Sequence, residues 1–123
     1  MDAINVKVAR HKEGGLYLET DRNPAQPLTP TGRLLADSDN FALVYIFDSE
    51  GAFVQVHIPE GFWPDLNKSH QERTPIYLDT SSVEFADIHE ELDMFLDIIQ
   101  GNNNYGPEMV SAVEKHFPMT TDD

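Results

Sequence analysis

The stretch from residue 41 to residue 58 constrains this chain most. Phe41-Ala42-Leu43-Val44-Tyr45-Ile46-Phe47 is apolar at every position. As a strand it buries both faces, which suits a central strand covered on both sides. Phe41, Leu43, Tyr45 and Phe47 share one face, and Ala42, Val44 and Ile46 share the other. Asp48-Ser49-Glu50-Gly51 supplies a turn in which Gly51 is free to take positive φ. Residues 53–58 return as the partner strand, with Val54, Val56 and Ile58 on one face and Phe53, Gln55 and His57 on the other.

The remaining elements are arranged around this hairpin. Ile4, Val6 and Val8 alternate with polar neighbours, the period of a half-buried strand. Lys12-Glu13-Gly14-Gly15 reads as a turn and residues 16–19 as a second strand, so a hairpin opens the chain. Residues 21–32 hold Pro24, Pro27, Pro30 and Gly32. Prolines fix φ and remove backbone donors, so a loop without regular structure is expected there. Arg33-Leu34-Leu35-Ala36 is a short strand, followed by a turn at Asp37-Ser38-Asp39-Asn40. After Ile58, residues 62–72 form a short helix that tolerates Pro64 in its first turn. Pro75 then forces extended chain. Ile76-Tyr77-Leu78 and Val83-Glu84-Phe85 are two short strands around Asp79-Thr80-Ser81-Ser82.

The clearest helix spans residues 88–100. Asp87 stands at its N-cap, with Glu90 three residues on in a capping-box relation. Ile88, Leu92, Phe95, Leu96 and Ile99 recur at helical spacing and face inward. Gly101 stands at the C-terminal cap, and residues 102–106 make a tight connection anchored by Tyr105. Pro107 opens a last helix whose apolar face is Met109, Val110, Val113 and Phe117. Pro118 stops it, and residues 118–123 form a frayed tail. The expected architecture is a single α+β domain over residues 1–123: a mostly antiparallel sheet of five to seven short strands, with two C-terminal helices and one short helix packed on it.

Charge and composition narrow the function classes. The net charge is −14. Residues 1–73 carry 11 acids and 7 bases, whereas residues 74–123 carry 11 acids and one base, Lys115. Nucleic acid and anionic membrane surfaces are poor ligands for such a chain, because both demand Lys and Arg. Cysteine is absent, which removes disulfides, thiolate metal sites and a Cys nucleophile. The N-terminus lacks the basic-then-apolar order of a signal peptide. No apolar run approaches the ~20 residues of a membrane span. A cytoplasmic location is expected.

Four places offer chemistry. Asp37-x-Asp39 presents two carboxylates in one turn, but Ala42 stands where a calcium loop needs glycine, so an Asx turn that caps backbone donors is the simpler reading. None of the five histidines has the i, i+4 spacing of a helical zinc pair, and no metal or cofactor is expected. His57 lies close in sequence to Trp63. Oriented by Asp37 or Asp39 it can serve as a general base, though a hydrogen-bonded structural histidine is the commoner outcome. The glycines at 101 and 106 bracket no lysine and follow no strand, which excludes a phosphate loop. On the helix over 88–100, Glu90, Asp93 and Asp97 fall opposite the core stripe. Met94 and Ile98 lie at its margin, as core edge or as a subunit contact.

Two segments, Gly32-Arg33-Leu34-Leu35-Ala36-Asp37-Ser38-Asp39-Asn40-Phe41-Ala42 and Gly101-Asn102-Asn103-Asn104-Tyr105-Gly106-Pro107-Glu108-Met109-Val110, resemble a family of small uncharacterised cytosolic proteins of Bacillus-like Gram-positive bacteria. The resemblance runs from residue 32 to residue 117, and the first 31 residues match nothing. It implies a bacterial cytoplasmic protein of unassigned role and brings no site residues.

The residues favour a non-enzymatic, self-associating interaction protein. It offers Glu90, Asp93, Met94, Asp97 and Ile98 to a basic protein partner, with a homodimer as one form of that contact. The alternative is a small enzyme, or a small-molecule or metal-binding protein, with a site at Asp37, Asp39, His57 and Trp63. A mimic of nucleic-acid charge ranks last, because the acid stripe on one helix is short.

Overall fold

The computed structural model describes residues 2–23, 27–79, 82–99 and 105–117. The expectations for Pro24, for Thr80 and Ser81, for Gly101 and residues 102–104, and for Pro118 and the tail lie outside those residues. Six strands form one sheet: β1 (Asp2–Lys12), β2 (Gly15–Thr20), β3 (Thr29–Asp37), β4 (Ala42–Ser49), β5 (Ala52–Pro59) and β6 (Ile76–Leu78), in the order β3-β4-β5-β1-β2-β6. A short 3₁₀ turn, Glu60–Phe62, leads into α1 (Trp63–Glu72), and α2 (Ile88–Ile99) and α3 (Pro107–His116) follow β6.

The sheet is mixed rather than mostly antiparallel. Two hairpins are antiparallel as their turn sequences dictate: β1 with β2, and β4 with β5. The β4–β5 turn places Glu50 and Gly51 at φ of 51° and 88°, the pair of positive angles that a two-residue hairpin loop requires. The hairpins are joined by β1, which is 11 residues long. Its first residues run parallel to β5, from Asp2 opposite Val54 to Asn5 opposite His57. Past a register shift between Val6 and Val8, the rest of β1 pairs with β2. A second parallel pair, Leu16 opposite Ile76, sets β6 beside β2. Parallel pairs need long crossovers and leave no local turn signature.

Regular structure also begins earlier than the prolines imply. Strand β3 starts at Thr29 and includes Pro30 and Gly32. Pro30 is tolerated because β3 is the edge strand. The register shifts between Pro30 and Arg33, and side chains replace the lost ladder bonds. Thr31 Oγ1 donates to the Ile46 carbonyl at 2.6 Å, and the Gly32 N–H donates to the Tyr45 hydroxyl at 3.1 Å. Gly32 takes φ of 74°, and a β-carbon there would meet the Asp87 carboxylate at 3.0 Å. The segment 83–85 makes a single bridge, Tyr77 to Glu84, rather than a full strand.

The hydrophobic core is one cluster fed by strands and helices alike. Leu43, Tyr45 and Phe47 from β4 lie in it with Val54, Val56 and Ile58 from β5. Helix α2 contributes Ile88, Leu92, Phe95 and Ile99, all buried, while α3 adds Met109 and Val113. Tyr45 fixes where α2 begins: its hydroxyl donates to the Ala86 carbonyl at 2.6 Å, and its ring meets the edge of Phe85 at 5.1 Å. Asp87 lies at φ of 64°, outside the extended range of an ordinary cap, and its carbonyl accepts from the Glu91 N–H at 3.0 Å. Among the described residues no helix is long and apolar enough to cross a membrane.

Candidate functional site

The β3–β5 face carries the first candidate. Val44 pairs with both Leu35 and His57 across the ladder, so residues at these positions share a face. Asp37, Ser38 and Asp39 border an open depression of about 340 Å³ with Leu35, Gln55 and His57. Asp37 and His57 come together, with His57 Nδ1 4.0 Å from Asp37 Oδ2. That distance is too long for a hydrogen bond. The other ring nitrogen, Nε2, is 3.1 Å from Gln55 Oε1. Asp37 works mainly as an Asx turn: the Asn40 side-chain amide donates to Oδ2 at 2.9 Å and the Asn40 N–H to Oδ1 at 3.2 Å. Those bonds, the side-chain one foremost, outweigh burial and hold the Asp37 carboxyl below its usual range. Asp39 is exposed at the rim. Trp63 does not join this group. It is fully buried, its indole N–H donates to the Ile58 carbonyl at 2.9 Å, and its ring packs near His116 and Phe117.

The second candidate is the outer face of α2. Helical spacing buries Leu92 and Phe95 and turns Glu90, Asp93, Met94, Asp97 and Ile98 outward. Met94 is 56% exposed and Ile98, one turn on, is 53% exposed. Only Leu35 and Phe53, both on strands, are comparable large apolar groups among the described residues. Glu90 and Asp97 flank this pair and are exposed. Asp93 is already engaged: Nη2 of Arg73 reaches its two oxygens at 3.0 and 2.8 Å.

A third constellation escapes sequence reading, at the junction of α1 with α2. The α1 helix ends on Arg73, a non-glycine residue at φ of 56° whose N–H caps the His70 carbonyl. That left-handed step ends α1 and leads the chain into β6. His70, itself buried, places Nε2 at 3.0 Å from Asp93 Oδ1 and Nδ1 at 2.9 Å from His89 Nδ1. His89 Nε2 then meets the Thr74 carbonyl at 2.6 Å. Burial foremost, and then the Arg73 charge, push His70 below the ordinary imidazole range against the pull of Asp93. For Asp93, burial acts to raise the carboxyl, but the Arg73 hydrogen bond and the charges of His70 and Arg73 prevail, and it stays low. The one sequence signal was the i, i+4 placement of His89 and Asp93 on α2; nothing in the sequence points to His70, 19 residues upstream of His89.

A profile described as a family of unknown function (UPF0738) matches residues 4–117, so the likeness reaches well into the first 31 residues. The UPF0738 protein YjbL of Bacillus subtilis is 39% identical over 104 residues, covering 83% of this chain and 84% of its own length. A UPF0738 protein of Geobacillus thermodenitrificans is 37% identical over 119 residues, covering 93% and 94%. One from Bacillus velezensis is 45% identical over 89 residues, covering 71% and 73%. No solved structure matches. The chain belongs to the UPF0738 family, whose function is unknown.

Proposed function

We propose that this chain is a non-enzymatic interaction protein of the cytoplasm, and that α2 offers Met94 and Ile98 within an acidic margin to a basic protein partner. The observation that carries this reading is the pair itself: two large apolar side chains, one turn apart, more than half exposed and flanked by Glu90 and Asp97. Burying such side chains against a partner contributes roughly 1–2 kcal/mol each, the scale of an interface anchor. The surrounding charge sets encounter rate and partner sign more than affinity. Residues 74–123 carry 11 acids against one base, so the complementary surface is basic with an apolar centre. A second copy of the chain is a weaker occupant, because each copy brings −14 to the contact.

The test is capture from cell extract on the immobilised protein at low and high salt, with the captured proteins identified by mass. Two variants run beside it, Met94→Ser with Ile98→Ser and Glu90→Lys with Asp97→Lys. A basic protein is expected on the parent chain at low salt, weakened by screening and by either variant. Equal capture by all three proteins, or an acidic partner, would overturn the reading.

A second reading rests on the approach of His57 to Asp37 beside the depression on β3–β5. There a small polar molecule would meet a base, two carboxylates and the Leu35 wall. A thermal shift with divalent metals or metabolites supports it, since a ligand of the native state raises the melting temperature. A flat response across the panel removes it.

A further inference from the structure

We propose that His70 and His89 hold one proton more than two neutral rings carry, and that this proton clasps α2 to the end of α1. The clasp is independent of what the outer face of α2 binds.

The count follows from the chain of contacts. At one end stands the Asp93 carboxylate, at the other the Thr74 carbonyl, and both only accept. Between them lie four ring nitrogens and three short contacts, of 3.0, 2.9 and 2.6 Å. Each contact needs one hydrogen, and all three must come from the rings. Two neutral imidazoles supply two. Three require one ring to be imidazolium. Every nitrogen of both rings meets a polar atom, which fixes the orientation of each ring.

The ring geometry selects a proton over a metal ion between the facing nitrogens. The ring centres are 5.1 Å apart while the two Nδ1 atoms are 2.9 Å apart, so the rings meet edge to edge along the line between their centres. Zinc bonds of ~2.0–2.1 Å at the tetrahedral angle would hold two nitrogens about 3.3 Å apart. Among the described residues, no group of three or more His, Cys, Asp or Glu donors completes such a site.

The surrounding charges place the proton. His70 is faced by Arg73 from its own helix end and by Asp93 and His89 from α2. His89 borders a depression shared with Arg73, Glu84, Asp87 and Glu90. Burial and the Arg73 cation together favour neutral His70. Neutral His70 donates through Nε2 to Asp93 and accepts at Nδ1, so the hydrogens of the other two contacts come from His89. When the extra proton leaves as pH rises, two hydrogens remain for three contacts, so one contact sets lone pair against lone pair and the junction opens.

The test is histidine side-chain nitrogen spectroscopy on the full, uniformly labelled chain from pH 5 to pH 9, with signals assigned through His70→Gln and His89→Gln. Toward the acid end of that range, three of the four ring nitrogens of the pair are expected to carry hydrogen, and the two rings to release the shared proton in one coupled step. Two protonated and two bare nitrogens there, or two independent steps, would refute the shared proton. Amide exchange gives the second readout. Protection in the first turn of α2 should fall roughly tenfold as the pair loses its proton, the scale of a charge-assisted hydrogen bond. That fall should vanish in His89→Gln, and protection indifferent to the pair's titration would refute the clasp.

Discussion

Replacing Tyr45 by phenylalanine removes one oxygen from the point where β3, β4 and the start of α2 meet. The ring keeps its contacts, with Phe47 at 4.9 Å and Phe85 at 5.1 Å, so packing is conserved and the hydrogen bonds are isolated. Two partners lose their bond: the Ala86 carbonyl at 2.6 Å and the Gly32 N–H at 3.1 Å. A dry, unsatisfied polar group costs about 1–3 kcal/mol. Ala86 and Gly32 are only half-buried, and water that reaches them recovers part of the loss, so the total is expected at about 1–3 kcal/mol. For 123 residues the entropy of unfolding converts each kcal/mol into roughly 4 °C, giving a fall of about 4–12 °C. Urea unfolding followed by circular dichroism and by Trp63 fluorescence measures it, with coincident transitions and an unchanged slope. A loss below about 0.5 kcal/mol, the size of an ordinary surface change, would show that this hydroxyl does not join the three elements. The same substitution has a signature in alkali. Burial first, then the charges of Asp87, Glu84 and Glu91, push the Tyr45 hydroxyl from 10.0 up to about 12 against the Gly32 N–H. Its contribution is therefore complete below pH 10 and lost as pH rises through 12. The parent chain should lose stability over that window more steeply than Tyr45→Phe.

Two further changes probe the α1–α2 junction by stability alone. Arg73 sits in left-handed backbone, so Arg73→Ala loses the Asp93 pair and keeps the strain, while Arg73→Gly loses the pair and sheds the strain. The alanine variant is expected to be the less stable by about 1 kcal/mol in urea unfolding, and equality would show that the backbone angle costs nothing. Asp93 has a lowered pKa, so its contribution is present above the unfolded value near 3.8 and lost as pH falls through the lower folded value. Asp93→Asn should flatten the acid limb of the stability curve below about pH 4, and an unchanged limb would mean that Arg73 and His70 do not favour the ionised form.

What the sequence disclosed was the local part of this fold. The β4–β5 hairpin was legible because its two apolar runs and its turn residues lie within 18 consecutive positions. The inward stripe of α2 was legible because Ile88, Leu92, Phe95 and Ile99 repeat at helical spacing, and the same spacing put Met94 and Ile98 outside. Long-range pairing left no such mark. Asp2 meets Val54 and Leu16 meets Ile76 in parallel register, and nothing in residues 2–5 tells of a partner some 50 positions away. Pro30 misled because proline reads as a breaker unless the strand is known to be an edge. The first candidate site was half legible. Asp37 and His57 lie on β3 and β5, on either side of β4, and meet across it, whereas Trp63 follows a 3₁₀ turn that carries it into the core. The histidine pair was illegible, since His70 and His89 lie on two helices separated in the chain by β6, and their approach is a tertiary contact with no local spacing to mark it.

Mild peroxide oxidation resolved by peptide mass tests the outward placement of the α2 face. Met94 is 56% exposed and Met109 is 1% exposed. The same reagent therefore should convert Met94 to the sulfoxide quickly in the native chain, and Met109 only after unfolding. If the proposed basic partner is captured, Met94 in that complex should become as slow as Met109. Equal rates in the free native chain would contradict the inward seating of Leu92 and Phe95, and undiminished oxidation of Met94 in the complex would contradict its place in the interface.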